Sequence, residues 1–202
     1  MNEGGQKMCG RYYVDDETSR EIEKIVKKLD QRLKIEHGQD IHPSESAVIL
    51  TKECREVAAR QMQWGFPGFQ GKGLLINARA EAILDKKTFR ESVLHRRCVI
   101  PARHFYEWNK NKEKYTFQSQ KQDTILFMAG CYQIYNGQNR FVILTTQANA
   151  SVAPVHERMP LLLERQELED WIMEDAAVEF ILAKNPILLN RTAEYEQLKL
   201  FS

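Results

Sequence analysis

The strongest constraint on the fold is the run TILFMAGCYQIY at residues 124–135, followed by Asn136-Gly137 and then RFVILTT. Two β-rich runs joined by Asn-Gly specify an antiparallel hairpin, because a two-residue turn needs positive φ angles, which Asn and Gly tolerate best. Upstream, AVIL reads as a short strand, and EVAARQMQWGF as a strand ending in a Gly/Pro turn. CVIPARHFYEW is extended, since Pro101 excludes a helix through its own position, and NKNKEK turns into the alternating YTFQS. The segment GKGLLINARAE reads as a glycine turn, a brief buried strand and a polar exit. The centre of the chain is therefore antiparallel sheet.

Helical spacing is confined to the flanks. Ile22, Ile25, Val26, Leu29 and Leu33 repeat at helical spacing between Asp15 and Glu36, with acids at the start and Gly38 just past the end, predicting one amphipathic surface helix. KTFRESVLHRRC can form one or two helical turns, ERQELEDWIM and DAAVEFILA read as two closing helices, and Pro186 begins an extended tail. No repeat, low-complexity tract or linker divides the 202 residues, and a 43% hydrophobic content is enough for one core. The expectation is a single α+β domain with an antiparallel, barrel-like β core and peripheral helices.

Charge and cysteine usage exclude several classes. With 29 basic and 28 acidic side chains the net charge is +1, so no global field draws the chain to nucleic acid, although a local basic groove is compatible with it. Cys9, Cys54, Cys98 and Cys131 form no C-x-x-C pair, which argues against a disulfide framework or a structural zinc site. The other histidines (His37, His42, His95, His104) show no metal-ligand spacing, and neither a Gly-rich phosphate loop nor a G-x-S-x-G elbow is present. No metal or cofactor is expected. There is no apolar run of membrane-spanning length and no signal-peptide pattern, so a cytoplasmic monomer is the expectation.

The first residues, MNEGGQKMCGRYY, contain two methionines, and Met8 stands directly before Cys9. Glu-Gly-Gly codons can hold the purine-rich AGGAGG of a ribosome-binding site, about seven nucleotides ahead of the Met8 codon, so residues 1–7 are expected to be leader sequence. The alternative is a disordered tail or a cloning remnant. If Met8 initiates and is removed, Cys9 carries a free α-amine, whose reference pKa of about 7.7–8.0, against about 10.4 for lysine, leaves far more of it neutral. Such an amine can condense with an aldehyde to an imine, and the adjacent thiolate can close on the imine carbon to a thiazolidine. An internal cysteine cannot do this; the ordinary reading of a single Cys is a small buried hydrophobe.

Other side chains carry weaker signals, each with an ordinary structural alternative. Glu107, held on a strand between Tyr106 and Trp108, faces away from those rings; it serves proton transfer if that side lines a cleft and is otherwise a solvated glutamate. His156 and Arg158 in VHERMP precede a proline and are expected on extended chain, pointing the same way, a pairing suited to a phosphate-bearing substrate. Asn77 and Arg79 in NARAE are likewise same-side neighbours if extended, able to orient a hydroxyl and bind a phosphate, or simply turn residues. Aromatics such as Trp64 in WGFPG at strand spacing are usually core.

Taken in order, MCGRYY, WGFPG, NARAE, RRCVIPARHFYEW and HERMP resemble the SOS-response-associated peptidase (SRAP) family along most of the chain. The resemblance implies an abasic-site sensor that binds single-stranded DNA and couples its N-terminal cysteine to the ring-opened sugar as a thiazolidine, after removing the initiator methionine itself. It implies that Cys9 is the crosslinking nucleophile, that Asn77 holds the abasic sugar, and that Glu107 is the acid/base residue. It gives His156 the assistance of ring opening, and Arg11, Arg79 and Arg158 contacts to DNA phosphates, with Trp64 near the DNA channel. Where relatives usually have Ala-Asp-Gly before FYEW, this chain has Ala102-Arg103-His104, adding bulk and positive charge. Two other readings share the same residues: a non-covalent single-strand binder, and an N-terminal-nucleophile peptidase acting on separate substrates.

Overall fold

The Asn136-Gly137 hairpin is the seam on which a barrel closes. In the computed structural model, which describes residues 10–26, 38–122 and 124–194, Asn136 and Gly137 both have positive φ (49° and 78°), the pair of angles that this tight turn demands. In chain order, β1 (Tyr12–Val14) leads into α1 (Asp16–Ile25), and β2 (Gln39–Ile41), β3 (Ser46–Glu53) and β4 (Glu56–Trp64) follow. A short pair, β5 (Phe66–Pro67) and β6 (Leu74–Leu75), precedes β7 (Asn77–Arg79) and α2 (Lys87–His95). Next come β8 (Arg97–Ala102), β9 (His104–Trp108), β10 (Lys114–Ser119) and the hairpin strands β11 (Leu126–Tyr135) and β12 (Gln138–Gln147). Then β13 (Arg158–Pro160), β14 (Leu162–Leu163), α3 (Leu168–Met173), α4 (Val178–Leu182) and β15 (Leu189–Ala193) complete the order.

Strands β12, β4, β3, β8 and β11 pair in a ring, with β11 returning to β12. The expected barrel-like core is thus present, and its seams are antiparallel except at β12–β4, which is parallel. β7 also runs parallel to β12 further along its length. A local pattern of alternating residues does not reveal which distant strand will close a ring, so the mixed character was not legible. Closure requires close approach at Gly130, where a Cβ would lie 2.7 Å from the Val142 carbonyl oxygen. A second, antiparallel sheet in the order β15-β10-β9-β1-β2 packs beside the barrel.

The two-residue period of the strands divides the core. Cys98, Ile100 and Ala102 of β8 join Trp64, Phe141, Tyr12, Phe105 and Phe117 in one cluster that unites barrel and second sheet. Val99 between them joins Leu50, Ala129 and Val142 in the other, capped by Val93, Trp171 and Val178 from the helices. Arg97, only 4% exposed, ties those helices down: its guanidinium donates to the carbonyls of Val93 (3.2 Å) and Leu94 (2.6 Å) at the end of α2 and to that of Trp171 in α3, and pairs with Asp175 at 2.7 Å. That pairing holds the exposed Asp175 carboxyl below its ordinary range.

The first helix departs from its sequence pattern. Asp15 caps it, accepting Thr18 N–H at 2.9 Å in a reciprocal box with the Thr18 hydroxyl, a cap of the kind that contributes about 1 kcal/mol. The helix stops at Ile25, because Val26 turns extended (φ −90°, ψ 132°) to bury its β-branched side chain in the core. The rest of the expected helix, residues 27–36, falls outside the described residues, as do residues 1–9. Among the described residues no helix is long and apolar enough to cross a membrane.

Candidate active site

Strand β7 places Asn77 and Arg79 on one side and buries Ala78 between them, by the strand alternation that NARAE predicts. It pairs with β12 from Ile143 to Thr145, while β13 pairs with β12 over Thr145–Gln147 on the opposite edge. The two short strands therefore flank β12 and form the walls of a groove of about 270 Å³, lined by Asn77, Arg79, Thr145, His156 and Arg158. Thr145 is fully buried and donates its hydroxyl to the Ala78 carbonyl at 3.3 Å, fixing β7 to the barrel. Four sequence-selected residues, Asn77, Arg79, His156 and Arg158, thus meet in one place.

The two cations of this groove differ. Arg79 is exposed and makes no ion pair among the described residues. Arg158 is held on both forks by Glu81, Nη1 to Oε1 and Nη2 to Oε2 each at 2.8 Å, and Nη2 also donates to the Thr145 carbonyl at 2.7 Å. The guanidinium accordingly holds the Glu81 carboxyl below its ordinary range. His156 stands between the turn at residues 151–155 and the start of β13, and it lines the same groove as Arg158, to which a local contact joins it. Arg158 N–H lies 3.0 Å from His156 Nδ1 and the Arg158 carbonyl 3.3 Å from the same atom; a backbone N–H can only donate, so the shorter contact favours Nδ1 as the acceptor, with the proton of the neutral ring on Nε2.

Glu107 and Arg11 belong to the second sheet. Glu107 is 1% exposed and lies opposite Tyr115 on β10, on the face away from Tyr106 and Trp108. Arg11 stacks its guanidinium over Tyr106 (5.8 Å) and Trp108 (5.4 Å) and pairs with Asp40 at 3.5 Å. The Arg11 carbonyl accepts Tyr106 N–H at 3.1 Å, so continuing the β1–β9 register brings Gly10 beside Glu107. Glu107 itself does not line the groove of Asn77 and His156. Cys9 lies outside the described residues. Among the described residues no three His, Cys, Asp or Glu side chains cluster so as to hold a metal ion.

The sequence pattern of the family described as SOS response associated peptidase (SRAP) matches residues 8–199. The chain belongs to the SRAP family. Among its relatives are abasic site processing protein YoqW of Bacillus subtilis, 29% identical over 181 residues covering 82% of this chain and 80% of the relative. Abasic site processing protein YoaM of the same organism is 26% identical, covering 82% of this chain and 79% of the relative. A crystal structure of a Bacteroides thetaiotaomicron protein superposes with a TM-score of 0.79 over 95% of this chain and 94% of that one at 21% identity, a likeness in fold.

Within this SRAP chain Trp64 has a different place from the one expected near a DNA channel. It is fully buried, packs against Tyr12 (ring centroids 5.3 Å apart) and Phe141 (6.1 Å), and donates its indole N–H to the Ile76 carbonyl at 2.9 Å. An indole enclosed on all sides presents no face for a base to stack on. Trp64 instead links β1, just after Arg11, to the residue preceding Asn77, and so couples the two halves of the candidate site from inside the core.

The family departure at Arg103-His104 is also structural. His104 stacks on Tyr13 (4.8 Å, 9°) and meets the Tyr106 hydroxyl at 2.8 Å through Nε2. Burial pushes its pKa down to about 4, despite Asp40 and Asp15 nearby, and burial together with Asp40 raises that of Tyr106. Cys98 and Cys131 are fully buried, and burial raises both thiols, Cys131 to about 12, so neither supplies thiolate near neutral pH. The residue that sequence reasoning missed is Glu81. Its signal was present as the only acid in NARAE, but its partner Arg158 is 77 residues away.

Proposed function

We propose that this protein captures abasic sites in single-stranded DNA as a covalent thiazolidine at Cys9, once translation from Met8 and removal of that methionine have made Cys9 the first residue. The observation that carries the reading is the groove in which Asn77, Arg79 and His156 converge: an amide, an exposed cation and an imidazole suit a sugar hydroxyl, a phosphate and a ring oxygen. The names of the relatives, abasic site processing proteins, support the same substrate.

The chemistry balances without an added oxidant or reductant. The C1′–O4′ bond of the cyclic deoxyribose breaks to give the aldehyde: the anomeric hydroxyl gives its proton to water, the ring oxygen takes one from water, and His156 Nε2–H hydrogen-bonds to that oxygen. The Cys9 amine adds to the aldehyde carbon, and water leaves to give the imine, with Glu107 relaying protons. The Cys9 sulfur then adds to the imine carbon while the nitrogen takes a proton, closing the five-membered ring. Asn77 orients the sugar, and Arg79 with Arg11 grips flanking phosphates. A nucleotide without its base has little stacking to lose on entering a pocket, which selects it over intact neighbours without reading any base.

The test is incubation of protein beginning at Cys9 with matched single strands, one intact and one abasic, followed by denaturing electrophoresis. A denaturant-resistant adduct should form with the abasic strand alone and vanish for Cys9→Ala. Equal behaviour of wild type and Cys9→Ala would overturn the mechanism.

A further inference from the structure

We infer that Glu81 is a positioning residue whose pairing with Arg158 clamps the two walls of the groove at the separation at which Asn77 and His156 act on one sugar. The inference rests on the function proposed above and gives a role to a side chain that function did not use. β7 and β13 lie on opposite edges of β12, joined to it by short ladders that end or begin at Thr145. Glu81 follows β7 directly, in the turn at Ala80–Ala82, and Arg158 opens β13 two residues after His156. The bidentate pair therefore spans Thr145 and ties one wall to the other.

Two further contacts and the enclosure of Arg158 make it a clamp rather than a loose surface pair. Arg158 donates to the Thr145 carbonyl at 2.7 Å, Thr146 donates its hydroxyl to Glu81 Oε1 at 3.4 Å, and only 15% of the Arg158 side chain is exposed. The Arg158 Nε is enclosed without a partner of its own among the described residues, so the head group depends on Glu81 and Thr145 for its position. The backbone of the same residue donates to His156 Nδ1, so the orientation and tautomer of the imidazole follow from where Arg158 is held. A planar guanidinium locked at two points by one carboxylate has a defined plane, which a single hydrogen bond would not impose.

The experiment compares wild type, Glu81→Gln, Arg158→Gln and the double variant, each starting at Cys9, with two readouts. The first separates the affinity for an intact single strand from the first-order rate of adduct formation at saturating abasic strand. The second is the ¹⁵N spectrum of the His156 ring. Glu81→Gln should leave the affinity unchanged, slow adduct formation at least tenfold, and turn a single Nε2–H tautomer into a mixture. The double variant should be no slower than the slower single one, since both remove the same clamp. An unchanged rate and an unchanged tautomer in Glu81→Gln would overturn the inference. If wild type forms no adduct, the proposed function fails, and the clamp is then judged on the His156 spectrum, where loss of the single tautomer supports it and retention refutes it.

Discussion

Replacing Trp64 by Phe would remove the indole N–H that holds the Ile76 carbonyl while keeping an aromatic ring in the core. The carbonyl retains Ile143 N–H at 3.1 Å, so the loss is one buried hydrogen bond, about 1 kcal/mol. The smaller ring also leaves a void between Tyr12 and Phe141. Full truncation of a buried Trp costs about 3–5 kcal/mol, and Phe restores most of the volume, leaving about 1 kcal/mol for the void. The sum is about 2 kcal/mol, which for a urea dependence of about 2 kcal/mol/M lowers the unfolding midpoint by about 1 M. Because Trp64 is enclosed, single-strand affinity should be unchanged, whereas adduct formation should slow through the loosened neighbour Asn77. An unaltered midpoint together with weakened binding of intact single strands would refute the reasoning and return Trp64 to a direct contact with DNA.

Arg97→Met fills the aliphatic volume but leaves the Val93, Leu94 and Trp171 carbonyls without their donor, a loss of about 3 kcal/mol. For a chain of this size that lowers the melting temperature by about 6–12 °C, measurable by calorimetry; a change near zero would show the helices to be held otherwise. His104, with its folded pKa near 4 against 6.5 unperturbed, binds its proton more readily when unfolded. Its contribution is therefore full above about pH 6.5 and is lost as pH falls toward 4, so the melting temperature of His104→Gln should fall less steeply than that of wild type across this window; parallel curves would contradict the assignment. Arg79→Ala should reduce the slope of log affinity against log salt for single-stranded DNA by about 0.7, the share of one phosphate, read by fluorescence anisotropy; an unchanged slope would remove Arg79 from the phosphate path.

The legible parts of the molecule were those set by neighbours in sequence. Asn136-Gly137 fixed its hairpin because the turn's angles select those two residues, and Asp15 marked the start of a helix because its side chain meets an N–H three residues on. Asn77 and Arg79 shared a face for the same local reason, the alternation of a strand. What depended on distant partners was hidden. The parallel seam of β4 and β12, the enclosure of Trp64 by Tyr12 and Phe141, and the attachment of Arg158 to Glu81 all join segments far apart in the chain. Val26, which the helical spacing groups with Ile22 and Ile25, joins the core in an extended conformation, and periodicity alone does not distinguish that from another helical turn.

The most direct test of the central claim is mass spectrometry of the protein made from its own gene, before and after reaction with an abasic single strand. The account predicts a mature chain whose first residue is Cys9. It also predicts an adduct equal in mass to protein plus DNA less one water, with the sugar carried on the Cys9 peptide through both nitrogen and sulfur. A mature chain that keeps any residue ahead of Cys9 and still forms the adduct, or an adduct carried on a lysine, would contradict it.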